Sequence, residues 1–401
     1  MKSHYQIIII GGGNAGISVA AQLLNRNPRL DIGIVEPSEK HYYQPAWTLV
    51  GGGVFDIRKT IRKEADFIPA QAEWIRDRTE GFDPAHNRVS LASGGQVTYD
   101  YMVVCCGIQL NWHLIKGLPE TLGKNGVCSN YSFDIAPYTY ECIRNFTGGR
   151  AVFTQPASLI KCGAAPQKIM YLAADNFSRR GVLKDSELLF YTGKPGLLRV
   201  KEINAALIEI CRRYGIRPVY QSSLIEVRGE SKEAVMEVPK EGGKETVTVH
   251  FDMLHVAPPM SAPDAVRNSP LAVEGDPQGW VDVNGETFQH RKYGNVFSLG
   301  DVANAGDTKT GAAIHKQAPI MVRNLLSAMN NKPFSGPGYD GYTACPIPTG
   351  YGKLMLAEFD HANTLKPTVP LDPTKERMSL WLFIRYALPW LYWNGILKGK
   401  L

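Results

Sequence analysis

The 401-residue sequence lacks several features, and each absence excludes a class of protein. It has no stretch of about eighteen or more apolar residues, so we expect no membrane-spanning helix. Its short apolar N-terminal run ends in glycines rather than at a cleavage site, which is unlike a secretory signal. Lysine and arginine are scattered, and a net charge of +6 favours weak contact with anions or an anionic membrane surface over nucleic-acid binding. We therefore expect no nucleic-acid partner and a protein that is not translocated.

Paired cysteine spacing is also missing. The chain has seven cysteines, an odd number, and no CxxC motif, which argues against a structural zinc site. The nine histidines show no metal-binding spacing either, so we expect no metal. Four of the cysteines lie in apolar or helix-like stretches and are expected in the core: Cys105, Cys106, Cys142 and Cys211.

The strongest positive signal lies at the N-terminus. The residues YQIIIIGGGNAGISVAAQLL predict a buried strand over 7–10, a glycine turn and a helix, and DIGIVEPS predicts a second strand. This βαβ unit with its GxGxxG pattern is typical of dinucleotide binding, because the glycines let backbone amides approach a pyrophosphate at the helix N-terminus. The predicted cofactor-binding residues here are Gly11, Gly13, Asn14, Ala15, Gly16 and Glu36.

A second nucleotide signal lies far along the chain. The segment YGNVFSLGDVANAGDTKTGAAIHKQA predicts a strand over 296–299 that delivers Asp301 directly to the start of a helix. In FAD enzymes of the disulfide-reductase type, such an aspartate binds the ribityl chain or the pyrophosphate, and the helix directs its positive end at the isoalloxazine. The two signals together predict FAD, with Gln44, Gly107, Asp301, Lys309 and Thr310 as further cofactor-binding residues.

A second glycine-rich motif is missing where a nicotinamide site would lie. The segments GRAVFTQPASLIKCGAAPQKIMYLAADNF and SELLFYTG predict another βαβ unit, but its turn holds Cys162 instead of GxGxxG. We expect an α/β protein with two tandem Rossmann-like dinucleotide-binding domains of the disulfide-reductase type and a C-terminal membrane-interface helical region. The expected divisions are 1–148 (FAD-binding domain, first part), 149–265 (second Rossmann-like domain), 266–340 (return to the FAD-binding domain) and 341–401 (redox-cysteine and membrane-interface region).

Three further stretches resemble one family. HYYQPAWTLVGGG, the Cys162 segment and GYTACPIPTGYGKLMLAEFD, which holds Cys345, are similar to sulfide:quinone oxidoreductase, in particular the type that includes the mitochondrial enzymes. The similarity covers essentially the whole chain, and these stretches are far more specific than the FAD motif. Because the sequence lacks the presequence of mitochondrial members, a bacterial protein is the simpler expectation.

The resemblance implies a role for each matched cysteine. Cys162 and Cys345 match the redox pair beside the flavin, joined by a disulfide or a bridging sulfur, with Cys162 proximal to the flavin and Cys345 carrying sulfane sulfur. Hydrosulfide is a soft nucleophile suited to attacking such a sulfur. Cys128 matches a third cysteine of some bacterial members, which can tether the flavin or join sulfur exchange, although a bystander thiol is equally expected. Lys168 follows Cys162 on the predicted helix and is expected either to lower a thiolate pKa or to lie at the surface.

The C-terminal end is dense in tryptophan, tyrosine, phenylalanine and leucine, with an excess of basic residues. We expect two short amphipathic helices, over 376–386 and 389–397, that attach the protein to the membrane interface, with the alternative of a helix pair packed on the core or on a dimer partner. Candidates to hold the quinone ring are Tyr351, Phe359, Phe383 and Tyr386.

The resemblance also implies the partners. They are hydrogen sulfide, a sulfane-sulfur acceptor (sulfide, glutathione or sulfite), a ubiquinone-type quinone and the cytoplasmic face of a bacterial inner membrane; a homodimer is left open. His41 and nearby glutamates are candidate proton acceptors. Two alternatives remain: a type II NADH:quinone oxidoreductase, which needs a second glycine-rich loop, and a flavin redox sensor whose cysteines signal without turnover.

Overall fold

The computed structural model describes residues 2–306 and 309–400. Its strands, in chain order, are β1 (His4–Ile10), β2 (Ile32–Val35), β3 (Lys40–Tyr42), β4 (Ile61–Lys63), β5 (Glu73–Ile75), β6 (Thr79–Asp83), β7 (Arg88–Leu91), β8 (Gln96–Val104), β9 (Gln109–Leu110), β10 (Val127–Cys128), β11 (Gly149–Gln155), β12 (Ser186–Thr192), β13 (Ile216–Val219), β14 (Ser223–Arg228), β15 (Glu233–Lys240), β16 (Gly243–His250), β17 (Met253–His255), β18 (Met260–Ser261), β19 (Val296–Ser298), β20 (Thr343–Gly350) and β21 (Lys353–Phe359).

The α-helices are α1 (Asn14–Arg26), α2 (Trp47–Gly51), α3 (Leu118–Thr121), α4 (Ala136–Asn145), α5 (Ala165–Arg179), α6 (Lys201–Tyr214), α7 (Asp264–Arg267), α8 (Gly311–Met329), α9 (Met378–Leu382) and α10 (Leu388–Asn394). Short 3₁₀ turns cover Gln44–Ala46, Ile57–Thr60, Glu64–Asp66, Pro84–His86, Trp112–Leu114, Leu183–Asp185 and Ile396–Lys398.

Two parallel sheets form the framework. The first places β5, β2, β1, β8 and β19 side by side in parallel, and the antiparallel strands β7 and β6 extend it from the start of β8. The second is wholly parallel, in the order β10-β17-β11-β12-β13. Continuous apolar runs such as the four isoleucines of β1 are buried on both faces, as expected for parallel strands covered by helices. The second sheet already begins at β10, ahead of the expected division at 149.

Close packing of α1 on β1 explains the small residues at their junction. A Cβ atom added at Gly16 would lie 1.9 Å from the carbonyl oxygen of Gly11, so only glycine allows this approach. Gly11 itself has a φ of +103°. The tight turn directs the N-terminus of α1 towards the carboxyl end of the first sheet, which is where ligands bind in open α/β sheets.

The expected helix start after Asp301 is wrong. Residues 302–306 are irregular, and α8 begins only at Gly311 with Thr310 as its N-cap, whose hydroxyl accepts a hydrogen bond from the amide of Ala313. A threonine cap satisfies one of the free amides of the first turn and so fixes the start there. Residues 307 and 308 lie outside the described residues.

The tail, residues 376–400, also differs from expectation. Instead of two separate helices, α9, a π-helical turn (Phe383–Ala387) and α10 follow one another without a break in helical backbone. Pro389 was expected to start a helix but lies inside this continuous helical backbone, at the second position of α10 and directly after the π-helical turn, where it has no N–H to donate to that turn. None of the described helices is both long and apolar enough to cross a membrane.

Candidate active site

A cavity of about 490 Å³ lies where the two sheets and the tail meet. Its walls are the glycine loop after β1, the loop before α5, the start of α8, alternate residues of β20 and one side of the tail. A second cavity of about 730 Å³ shares Gly11, Glu36 and Cys106 with it and continues along the carboxyl end of the first sheet. The two form an elongated space suited to a dinucleotide.

The glycine loop and Glu36 form one end of this space. The backbone amide of Gly12 donates to Oε2 of Glu36 at 2.8 Å, and the amide of Ser38 donates to Oε1 at 2.7 Å. These two bonds fix the carboxylate at the end of β2, as the sequence predicted for a ribose-binding acid. A Cβ atom at Gly13 would meet nothing within 4 Å, so the loop faces open space where a pyrophosphate would lie.

Cys162 lines this cavity, and Cys345, although far away in the sequence, lies buried beside it on the face of β20 that points into the core. β20 packs against α5 and pairs with β21, which brings Cys345 to the start of α5 beside Cys162. The two thiols are hydrogen-bonded to each other. Cys162 has a φ of 50°, and its amide donates to the carbonyl oxygen of Lys309 at 2.7 Å, which ties it to the residues before α8.

Lysines set the charge of the thiol pair. Nζ of Lys168 lies 3.1 Å from Sγ of Cys162, and this lysine is buried on α5 rather than exposed at the surface. The hydrogen bond from Cys345, followed by the ammonium of Lys168, lowers the pKa of Cys162 to about 5 despite burial. The pKa of Cys345 is raised well above its ordinary value, because sharing that hydrogen bond and burial both favour its neutral form. At neutral pH the pair therefore holds one thiolate, on Cys162.

Lys161 is a second cation in the cavity, and sequence reasoning missed it. Its Nζ donates to Oε1 of Gln44 at 2.6 Å and lies 5.6 Å from the ring centre of Trp47. Burial lowers the pKa of Lys161 to about 8, opposed by the charges of Asp301 and Cys162. Its position directly before Cys162 in the sequence was the available signal.

Cys128 does not join this pair. It is buried on β10, where its hydrogen-bonding partner is Cys142 of α4, and it is not part of the cavity wall. Because β10 lies at the edge of the second sheet beyond β17, the fold holds Cys128 away from the loop before α5. The expectation that Cys128 acts beside the redox pair finds no support in this geometry.

The four residues expected to hold a quinone ring also lie outside the cavity wall. Tyr351 donates its hydroxyl to the carbonyl oxygen of Gly52, and Phe359 is buried in the core of the second sheet. Phe383 and Tyr386 point outwards from the π-helical turn. The tail instead lines the cavity with Ile384, Leu388, Tyr392 and Ile396.

The chain was compared with known proteins. A family model described as pyridine nucleotide-disulphide oxidoreductase matches residues 5–134. The mitochondrial sulfide:quinone oxidoreductase of Dictyostelium discoideum is 44% identical over 403 residues, which cover 100% of this chain and 87% of that protein. The mouse protein of the same name is 41% identical over 399 residues, covering 99% of this chain and 87% of the relative. The chain belongs to the sulfide:quinone oxidoreductase family.

A solved structure supports the fold. The sulfide:quinone oxidoreductase of Aquifex aeolicus superposes with a TM-score of 0.83 at 19% sequence identity, covering 100% of this chain and 92% of that one. The predicted α/β fold of the disulfide-reductase type and the predicted family are confirmed. As a member of the sulfide:quinone oxidoreductase family, the chain is an oxidoreductase, and its cofactor is FAD.

The residues present fit FAD. Glu36 and the open face of Gly13 suit the adenosine and pyrophosphate, and Asp301 lies in the cavity wall at the end of β19, where burial raises its pKa. Asn14, Ala15, Gln44, Gly107 and Thr310 also line the cavity. Lys309 lies there too, but its Nζ sits 3.6 Å from the ring centre of Trp280 and donates to the carbonyl oxygen of Ala303. These two contacts hold its ammonium, and its expected position at the flavin carbonyl edge stays a prediction.

Proposed function

We propose that this chain oxidises hydrogen sulfide at the Cys162–Cys345 pair, holds the removed sulfur on Cys345, and passes two electrons through FAD to a quinone. One observation carries this proposal: Cys162 lines the same cavity as the FAD loop, and it is hydrogen-bonded there to the buried Cys345 beside Lys168. The names of the relatives, which specify sulfide and quinone, support the same activity.

The order of sulfur exchange follows from the unequal thiols. In the oxidised pair, hydrosulfide attacks Sγ of Cys345, the S–S bond breaks, and Cys162 leaves as a thiolate while Cys345 becomes a persulfide. Attack in this direction is favoured because the thiol of lower pKa is the better leaving group, and Cys162 has the pKa of about 5. Lys168 stabilises the charge that develops on Cys162.

The cycle closes when a nucleophilic acceptor removes the outer sulfur of the persulfide and leaves Cys345 as a thiolate. Re-forming the disulfide from two thiolates releases two electrons. Bound FAD supplies the two-electron redox chemistry between the pair and the quinone. Sulfide, glutathione and sulfite all have the required nucleophilic sulfur, and the choice among them stays a prediction.

Anaerobic titration tests the proposal. Sulfide should bleach the flavin band of the purified holoenzyme, whereas NADH should not, because the loop after β11 holds Cys162 in place of a glycine-rich motif. Rapid bleaching by NADH, or a flavin that sulfide leaves oxidised, would overturn it. Cys211→Ser, which removes a buried thiol of α6 that contacts the Tyr171 hydroxyl and is not among the residues lining the cavity, is the matched control and should bleach like the unaltered protein.

The tail supports attachment to a membrane surface. Its exposed side carries a stripe of large apolar residues, whereas its other side packs on the core: the exposed members are Met378, Leu382, Phe383, Tyr386 and Trp390. Trp390 and Tyr386 are 64% and 60% exposed, which is unusual for aromatic rings unless a lipid interface or a partner covers them. We propose that this stripe enters the headgroup region of the membrane that holds the quinone. The close relatives are named as mitochondrial, and the expected cytoplasmic face of a bacterial membrane stays a prediction.

Membrane attachment is tested better by substituting exposed apolar residues of the tail than by removing the tail. The tail also supplies Trp393 and Leu397 to a buried cluster, so truncation would damage the core. Leu382→Ser combined with Trp390→Ser should reduce co-sedimentation with liposomes by about tenfold or more, because two large apolar side chains no longer enter the interface. Leu114→Ser, at an exposed leucine of another region, should change nothing. Unchanged sedimentation of the double variant would show that the tail is not the membrane contact.

A further inference from the structure

A buried hydrogen-bonded chain joins the tail to the glycine loop. Nε2 of His41 lies 2.6 Å from the hydroxyl of Tyr392 on α10, and Nδ1 lies 2.9 Å from Oε2 of Glu64. The three side chains are only 3%, 5% and 2% exposed, respectively. The fold therefore places an acid, an imidazole and a phenol in series inside a cluster that is otherwise aromatic and apolar.

Both ends of this chain reach the cavity. Tyr392 lines it from the tail, in the same row as Leu388 and Ile396. Glu64 lines it from the opposite side, and its Oε1 is buried without a hydrogen-bond partner in the described residues, against the backbone of Gly12. Beside Gly12 lies Glu36, which is partly exposed to solvent.

Such a chain is costly to bury. A buried carboxyl oxygen without a partner gives up the hydrogen bonds that water would supply, and an apolar side chain would fill the same space without that loss. The cluster around it includes Phe67 and Trp393, which contact the His41 ring in tilted and edge-on geometry and show that aromatic filling suits this space. A role in moving a proton accounts for three titratable groups kept in series here.

We propose that Glu64, His41 and Tyr392 form a proton-transfer chain that delivers one of the two protons consumed when a quinone is reduced in the cavity. This rests on the proposed function, since it needs the quinone as acceptor. A quinone that gains two electrons must gain two protons to become the quinol, and on the tail side of the cavity the lining residues around Tyr392 are the apolar Ile384, Leu388 and Ile396.

The proton balance needs two arrangements of the same chain. In the first arrangement, in which Glu64 carries the proton and all three groups are neutral, protonated Glu64 donates to Nδ1 of His41, Nε2–H donates to Tyr392, and the phenol donates to the quinone oxygen. Transfer of one proton along each bond leaves Glu64 ionised, His41 neutral with its proton on Nδ1, and Tyr392 again a phenol that donates to Nε2. The net change is one proton lost from Glu64 and one gained by the quinone. Uptake from solvent on the Glu36 side restores the proton of Glu64, and the start is reached again when the Tyr392 hydroxyl turns back to the cavity and the His41 ring turns its N–H back to Tyr392.

The surroundings favour the first arrangement, in which Glu64 is protonated and Tyr392 is a neutral phenol. Burial, assisted by the nearby charge of Glu36, raises the pKa of Glu64, while its hydrogen bond with His41 opposes that shift. Burial also keeps Tyr392 a neutral phenol by raising its pKa. The other titratable or charged groups packed around the chain are Tyr43, Arg62, which lies over Trp393, and Lys398, which lies over Phe67.

The test compares two electron acceptors. Tyr392→Phe and Glu64→Gln should slow sulfide-driven reduction of a water-soluble quinone by about 100-fold or more, since loss of a positioned proton donor usually costs about 100- to 10,000-fold. Ferricyanide takes electrons without protons, so both variants should reduce it at the rate of the unaltered protein. Tyr99→Phe, which removes a buried hydroxyl inside the first sheet, is the matched control and should leave both rates unchanged.

Three further results decide between proton transfer and a structural role. The quinone rate of Glu64→Gln should lose the pH dependence that the unaltered protein shows, and Glu64→Asp should recover part of that rate. In FAD-free protein near neutral pH, infrared spectra should contain a protonated-carboxyl band that Glu64→Gln lacks. Equal losses with quinone and ferricyanide, unchanged quinone rates in both variants, or absence of that band would overturn the proposal. Failure of sulfide to bleach the unaltered holoenzyme would instead contradict the proposed function.

Discussion

Two pairs of thiols lie in this protein in contrasting surroundings. Cys162 faces a cavity with Lys168 and the buried Cys345 beside it, whereas Cys128 and Cys142 contact each other between β10 and α4 with Glu141 nearby. In each pair one thiol donates to the other, so the acceptor has a lowered pKa and the donor a raised one. A neighbouring thiol therefore occurs at both sites, and what distinguishes the first is its cation and its access to a ligand cavity.

The two pairs show which surroundings make a cysteine of this protein reactive. A thiolate is useful for exchange when a cation stabilises it and a substrate can reach it. Cys162 satisfies both conditions, since Lys168 bonds to its sulfur and the sulfur lies in the cavity wall. Cys142 is only partly buried, but its nearest charge is an anion and it borders no ligand cavity.

The largest expected effect comes from removing one thiol at a time. Cys162→Ser and Cys345→Ser should each lower sulfide-dependent quinone reduction by about 1,000-fold or more, because the two sulfurs act as a unit. FAD content should persist, since neither residue belongs to the glycine loop. Cys128→Ser and Cys142→Ser should retain activity within about twofold on the same reasoning. Comparable losses of sulfide-dependent quinone reduction at both pairs would show that Cys128 and Cys142 are as reactive as Cys162 and Cys345.

Removing the cation should bring the reactive pair closer to the inert one. Lys168→Met should raise the pKa of Cys162 by about 1–3, the usual effect of losing an adjacent opposite charge. The thiolate then forms at higher pH, so alkylation of Cys162 in the reduced protein at about pH 6 should slow by about 2- to 100-fold. Mass spectrometry of the Cys162 peptide measures this rate. Lys184→Met, at an exposed lysine near the end of α5, is the control and should not change it.

The second lysine predicts an alkaline limit. The pKa of Lys161 is lowered to about 8, so its ammonium is lost as the pH rises through that value, while Lys168, with a raised pKa, stays protonated. Sulfide oxidation should therefore fall several-fold above about pH 8, as one of the two cations beside Cys162 disappears. Lys161→Arg keeps its charge and should shift this limit upwards. An identical alkaline limit in both proteins would exclude Lys161 as its cause.

The smallest effect concerns the inert pair. The hydrogen bond with Cys128 lowers the pKa of Cys142, and the charge of Glu141 opposes that lowering. Glu141→Gln should therefore lower that pKa slightly and speed alkylation of Cys142 near neutral pH by about twofold or less, because exposed charges interact weakly. Glu202→Gln, in the first turn of α6, serves as the control. A change as large as that expected for Lys168→Met would show that local charge controls both pairs equally.

Local pattern was enough to predict the nucleotide loop and the candidate cysteines. The run of isoleucines, Gly11 to Gly16 and Glu36 belong to one continuous segment, so their geometry follows from sequence spacing. The meeting of Cys128 with Cys142 and the inward position of Tyr392 depend on how distant elements pack, which spacing does not encode. The tail shows the same limit: its π-helical turn shifts the helical face, so Ile384 points inwards and Phe383 outwards.

The backbone of Cys162 has a consequence for the protein's stability. A left-handed φ of 50° at a residue with a side chain costs about 1–2 kcal/mol, which glycine would avoid. Cys162→Gly should therefore raise the free energy of unfolding by about 1 kcal/mol relative to Cys162→Ala, although both lack the sulfur. Chemical denaturation of the two variants measures this difference. At this position, selection for turnover opposes selection for a durable fold, so variants screened for thermal resistance alone should tend to lose the cysteine on which sulfur exchange depends.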